Sequence, residues 1–212
     1  MANINAPFGF RPVMHINGSP YNGQANLYVI TTADSTYEYH IGDLVFSSAT
    51  ADANGVPGVL GESRAAKTTS VPRGVIVGIL GAYPGVSLVG AALNLEQPNY
   101  VPIAKSHDYY VMVADAPDLI CEIQADTTSA ATYIAAGYML HNFGYTSAAP
   151  SPVTNPLSAT VLTSASAVTT ATITLKAHGL VRDPMNAYGA YAKMLVSFNL
   201  HELGNASGTT AI

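Results

Sequence analysis

Beyond residue 24 the chain is a succession of short β-forming runs separated by Gly, Pro, Asn and Asp, a pattern of strands and turns. Residues 24–32 and 43–47 are two such runs. Residues 47–73 are small and polar and contain Asn54-Gly55, a turn dipeptide that tolerates positive φ. Residues 74–83 form a continuous apolar run in which Gly74, Gly78 and Gly81 disfavour a helix and suit a buried strand. Residues 109–115 and 119–125 read as a hairpin pair joined at Asp115-Ala-Pro-Asp118. In the second arm of that pair Leu119, Cys121 and Ile123 alternate with Glu122 and Gln124, as a half-buried strand requires.

Further on, one short helix is expected over 127–136, with Thr127 or Thr128 as N-cap and Gly137 at the stop. Residues 138–143 resume strand character, and 147–156 form a Pro/Ser/Ala loop. Two more period-2 segments follow. In 170–176, Ile173 and Leu175 point inward against Thr172, Thr174 and Lys176. In 193–201, Met194, Val196, Phe198 and Leu200 share one face, and Ser197, Asn199 and His201 the other. About eight to ten strands and at most one short helix predict an all-β fold, a sandwich or barrel of jelly-roll-like or open-barrel type. No repeat of fixed period is visible, so residues 24–212 are read as one β-rich domain.

Residues 1–23 lack periodicity but carry Pro7, Pro12 and Pro20 with Phe8, Phe10, Met14 and Tyr21. Disordered tails are poor in aromatics. The segment is therefore read as an extended N-terminal arm that packs its rings against something, either a neighbouring subunit or its own domain. Phe8 and Phe10, two apart in an extended chain, are expected on one side with Arg11 opposite. Phe8, Phe10, Arg11, Pro12 and His15 are the candidate protein-interface residues.

Composition sharpens this picture. Apolar residues make up 49% of the 212 and charged residues only 10%, against about 25% in typical soluble domains. Such a chain either meets another protein over part of its surface or coats itself with Thr, Ser, Asn and Gly. The net charge of −5 comes with eight scattered Lys and Arg residues, so no nucleic-acid partner is expected. No run of about 18 apolar residues occurs, and the opening residues lack a basic leader with an apolar core. Neither a membrane span nor a secretory signal is expected. The single cysteine, Cys121, excludes an internal disulfide and reads as a small core residue.

Candidate chemistry is sparse. None of His15, His40, His107, His141, His178 and His201 lies within five residues of another, and His-Glu-x-x-His and Cys-x-x-Cys are absent. A cupin-like metalloenzyme would need ligands from separate strands, with His141 and His201 as the pair able to meet. No Gly-x-Ser-x-Gly elbow or phosphate-binding glycine loop appears. Asp115 and Asp118 read as turn residues with Asx hydrogen bonds rather than an acid–base pair. The expectation is a protein that is not an enzyme, with no catalytic residue, no metal and no cofactor.

Three stretches, in order along the chain, carry a resemblance. They are Asn5-Ala-Pro-Phe-Gly-Phe-Arg-Pro-Val, then Leu119-Ile-Cys-Glu-Ile-Gln-Ala-Asp, then Asp183-Pro-Met-Asn-Ala-Tyr-Gly-Ala-Tyr-Ala-Lys with Leu195-Val-Ser-Phe-Asn-Leu-His. Together they resemble the decoration (cement) proteins of tailed-bacteriophage capsids, with Ile120-Cys121 where an aromatic stands in the family's central segment. The Ser/Thr/Ala-rich stretch 147–172 departs from that pattern. The resemblance implies a β-rich capsid decoration protein assembled in the bacterial host cytoplasm. It would bind the outer surface of the virion head as a homo-oligomer, dimer or trimer, with the major capsid protein as partner. The alternatives are a carbohydrate-binding, head-fibre or tail β-module, the cupin-like metalloenzyme, and the major capsid protein itself. The last is disfavoured by the lack of a long helix.

Overall fold

The computed structural model describes residues 3–62, 64–81, 99–127, 141–152, 154–168 and 170–208. Among them the chain is all-β, without a helix. The expected helix over 127–136 lies, apart from Thr127, outside the described residues. Twelve strands are present: β1 (Arg11–His15), β2 (Asn26–Ile30), β3 (Leu44–Ala51), β4 (Pro57–Leu60), β5 (Ala66–Lys67), β6 (Gly74–Leu80), β7 (Tyr109–Ala114), β8 (Leu119–Gln124), β9 (Asn142–Thr146), β10 (Val161–Val168), β11 (Leu175–Leu180) and β12 (Lys193–Phe198).

Two sheets share them. Strands β2-β4-β3-β6-β7 close into a small barrel, and the other seven form one sheet in the order β1-β8-β12-β11-β9-β10, with β5 also on β9. A parallel bridge between Ala125 and Leu162 ties β10 back to the end of β8, so the larger sheet curls on itself. Asn54-Gly55 makes the β3–β4 turn. Asp52 accepts hydrogen bonds from the Asn54 and Val56 amides at 2.8 and 2.7 Å, and Gly55 takes φ of 81°, a value glycine reaches without strain.

The continuous apolar run at 74–80 is explained by a shared wall. Leu44, Val75 and Ala114 are cross-strand neighbours on β3, β6 and β7 and belong to the core of the large sheet. Their chain neighbours Val45, Ile76 and Val113 fill the barrel. Both faces of this wall are buried, so its sequence cannot alternate. A bulge between Ile76 and Gly78 resets the parity of β6, and Ile76 and Ile79 both point into the barrel.

Three local expectations need correction. Strands β7 and β8 do not pair: β7 lies between β2 and β6, and β8 between β1 and β12. Residues 115–118 are thus a crossing from barrel to sheet, because the inward face of each strand completes a different core. The 170–176 alternation is not a strand throughout. Strand β11 starts at Leu175, and Thr174, expected outward, is buried, its hydroxyl donating to the carbonyls of Thr68 and Ser70 at 3.1 and 2.9 Å. Nor are residues 1–23 a separate arm, since 11–15 form the edge strand of the large sheet.

Candidate functional site

The N-terminal segment crosses the face of β8 that the pattern assigned to solvent. The Asn3 side chain donates to the carbonyls of Ala187 and Ala190 at 2.7 and 2.9 Å. Gln124 accepts from the Ala6 amide and donates to Asn5 Oδ1, each at 2.9 Å. Arg11 faces Glu122 in the β1–β8 register, and their side chains form an ion pair at 2.5 Å. The same guanidinium stacks over the Phe8 ring, 4.8 Å from its centroid. Glu122 and Gln124 are buried as a result.

Phe8 and Phe10 therefore part company, contrary to the expected shared face. Gly9 stands at φ of 70°, which breaks the alternation of an extended chain. Phe8 stays half-buried under Arg11. Phe10 is 2% exposed and meets Tyr145 edge-on at 5.7 Å and Phe198 at 6.2 Å in the core of the large sheet. At Phe10 the segment is folded back on its own domain, so this ring is not free to anchor a partner. Pro12 lacks an N–H, and the β1–β8 register shifts between Pro12 and Met14, as suits proline on an edge strand. His15 Nδ1 lies 3.0 Å from Asp118 Oδ1 and the Ile16 amide donates to Asp118 O at 2.8 Å, fixing the far end.

Three chain segments converge at Gly9. A Cβ there would come within 2.6 Å of Gly42 O and 2.7 Å of Ser158 Cβ, so only glycine fits. The Phe10 amide donates to Gly42 O at 2.9 Å, and Ile41 bridges to Leu157. Beneath this crossing is an ionic cluster that the sequence reading did not single out. Arg64 donates through its fork to both oxygens of the buried Asp43 at 2.9 and 3.0 Å. It also donates to Glu38 O at 2.7 Å, while Asp43 accepts from Ser158 Oγ at 2.6 Å and from the His40 amide at 2.9 Å. Between the N-terminal segment and the 150–159 loop lies a groove of about 500 Å³, walled by Pro7, Phe8 and Arg11 on one side and Ser151, Asn155 and Leu157 on the other.

No family model, curated protein or solved structure matches this chain. Its remaining chemistry is structural in placement. Asp115 accepts from Tyr28 Oη at 2.6 Å and from Asn26 Nδ2 at 2.9 Å, and Arg73 Nε donates to Tyr28 Oη at 2.8 Å. Asp115 and Asp118 thus reach other elements, not their own turn as expected. Burial first, then the Asp115 carboxylate, pushes the Tyr28 hydroxyl up to about 12. Burial also pushes the Cys121 thiol far up, which suppresses the reactive thiolate. Among the described residues no three His, Cys, Asp or Glu side chains gather as a metal-binding group.

Proposed function

We propose that this chain is a structural virion protein that binds the outer surface of a tailed-phage head and clamps neighbouring copies of the major capsid protein. Its main support is the placement of charge. Of thirteen Asp and Glu residues, Asp34, Asp43, Asp115 and Glu122 are buried. Of eight Lys and Arg residues, Arg11, Arg64, Lys67 and Arg73 sit in ion pairs. A chain already poor in charge thus ties part of it up within the fold, which leaves little for its outer surface. Large apolar side chains stand out from that surface, with Ile4 79% and Ile16 57% exposed on the N-terminal segment. Neutral surface with protruding apolar groups favours protein contact. The three-stretch resemblance to decoration proteins adds the partner.

Cementing of this kind needs no catalytic group. A specific interface of roughly 1,200–2,000 Å² suffices. Repetition over a symmetric shell makes many contacts act together, and binding only the assembled shell stabilises it by mass action. The test is co-sedimentation of the purified protein with intact heads, beside an Ile4→Asp/Ile16→Asp variant. The wild type is expected to pellet with heads, and the variant to stay in the supernatant with an unchanged melting temperature. Wild-type protein that stays in the supernatant, or that binds glycans instead, sinks the proposal.

A further inference from the structure

His40 lies just before β3 and is wholly buried. Its ring stacks on Tyr100, with centroids 5.5 Å apart and planes 6° from parallel. Nδ1 lies 2.9 Å from the carbonyl oxygen of Asn155. A carbonyl only accepts, so Nδ1 carries the proton of the neutral ring. Nε2 is then the lone-pair nitrogen, and it is buried with no hydrogen-bond partner among the described residues. A second proton has only that nitrogen to occupy.

We propose that His40 is an acid-sensitive latch, in which proton uptake at Nε2 releases the 154–158 segment from the barrel and opens the groove beside the N-terminal segment. A buried imidazolium N–H without an acceptor is costly, so the charged ring must move toward water. That movement breaks its bond to Asn155. It also bears on the neighbouring ties of the same segment: the Ile41 amide to Pro156 O at 2.8 Å, the Ser158 amide to Ile41 O at 2.9 Å, and Ser158 Oγ to Asp43 at 2.6 Å. Asn155 and Leu157 form part of the groove wall, so release of the segment reshapes the groove.

The groups facing His40 are Asp43 and Glu38, which favour the cation, and Arg64, which opposes it. Asp43 is already engaged by both arms of the Arg64 fork. Loss of hydration outweighs the carboxylates and holds His40 below its ordinary value of 6.5. The unfolded chain therefore takes up this proton more readily than the folded one. Stability from the closed latch is present above pH 6.5 and declines as pH falls below it.

Hydrogen exchange on the full chain at pH 7.5 and pH 5.0, corrected for intrinsic rates, tests the latch. In the wild type the amides of Ile41 and Ser158 are expected to lose protection severalfold at the lower pH, because the open form takes up the His40 proton more readily than the closed one. In His40→Gln, which does not titrate, protection is expected to be equal at both. His201→Gln, which removes another buried histidine, is expected to keep the wild-type response at Ser158. Unchanged wild-type protection, or a response that survives in His40→Gln, overturns the proposal. If His40→Gln does not fold, NMR titration of the wild-type His40 ring decides: a value below 6.5 supports the latch, and one at or above it refutes the latch.

Discussion

Inside the barrel, Ile30, Val45, Val59, Ile76, Val111 and Val113 pack with the rings of Tyr28 and Tyr39, whose hydroxyls alone reach carboxylates, those of Asp115 and Asp34. A few residues away, where Gly9, Gly42 and Ser158 meet, the contacts are a carboxylate, a guanidinium, a hydroxyl and backbone amides. The first region is held by shape and area, and it tolerates a small loss of volume in proportion to that volume. The second is held by mutual satisfaction. Deleting one member takes a partner from several others at once. Four of the thirteen carboxylates are buried, so a sequence short of charge sets part of it inside the fold.

The largest effects are expected where the junction and the large-sheet core beside it lose a keystone. Asp43→Ala takes one acceptor each from the Arg64 fork, the Ser158 hydroxyl and the His40 amide and leaves the Arg64 charge without its buried counter-ion, and a loss of about 3–5 kcal/mol is expected in urea unfolding. Phe10→Ala, which opens a cavity between Tyr145 and Phe198, is expected to cost a similar 3–5 kcal/mol. Ile76→Val in the barrel, one methylene smaller, is expected to cost roughly 0.5–1.5 kcal/mol. If Asp43→Ala proves no worse than Ile76→Val, the junction is not held by its charges and the comparison fails.

A smaller effect separates two rings that the sequence makes alike. Phe8→Ala is expected to cost far less than Phe10→Ala, because Phe8 is only half-buried and packs under the solvent-facing Arg11. Equal losses for the two would mean that the N-terminal segment folds as a single buried unit.

Three of the barrel strands were legible as runs of β-forming residues. Residues 24–32, 43–47 and 74–83 contain β2, the start of β3, and β6. The all-β class followed from the same runs. Strand β1 was not legible, since three prolines over residues 1–23 argue against pairing and only the edge position with its bulge accommodates Pro12. Strand β10 was missed because a Ser/Ala run interrupts the β-formers at its two ends. The β7–β8 crossing was hidden by a plausible turn, as local chemistry does not say which core a strand completes. Within the candidate site, Arg11 was named from sequence but its partner Glu122 was assigned to solvent. Asp43, Arg64 and Ser158 had no local signal, Arg64 and Ser158 lying 21 and 115 residues from Asp43 along the chain.

The finest expected contrast lies in two tyrosine hydroxyls, one at the seam between the sheets and one on the outer side of the barrel. Tyr28 donates to Asp115 and accepts from Arg73, whereas Tyr110 donates to Asp52 at 2.6 Å beside the β3–β4 turn. Burial, then the adjacent carboxylate, pushes each hydroxyl from 10.0 up to about 12. A raised folded value means that the unfolded chain gives up the proton first. The stability from each hydroxyl is thus fully present below pH 10 and is lost as pH climbs toward 12. Absorbance at the tyrosinate band, with melting temperature measured over the same range, reads both. Tyr28→Phe is expected to lower stability by about 1 kcal/mol at neutral pH, because Asp115 keeps Asn26 as a partner. Each of Tyr28→Phe and Tyr110→Phe is expected to flatten part of the alkaline decline. If the decline is unchanged in both variants, the hydroxyl–carboxylate pairs do not bear on folding in either region.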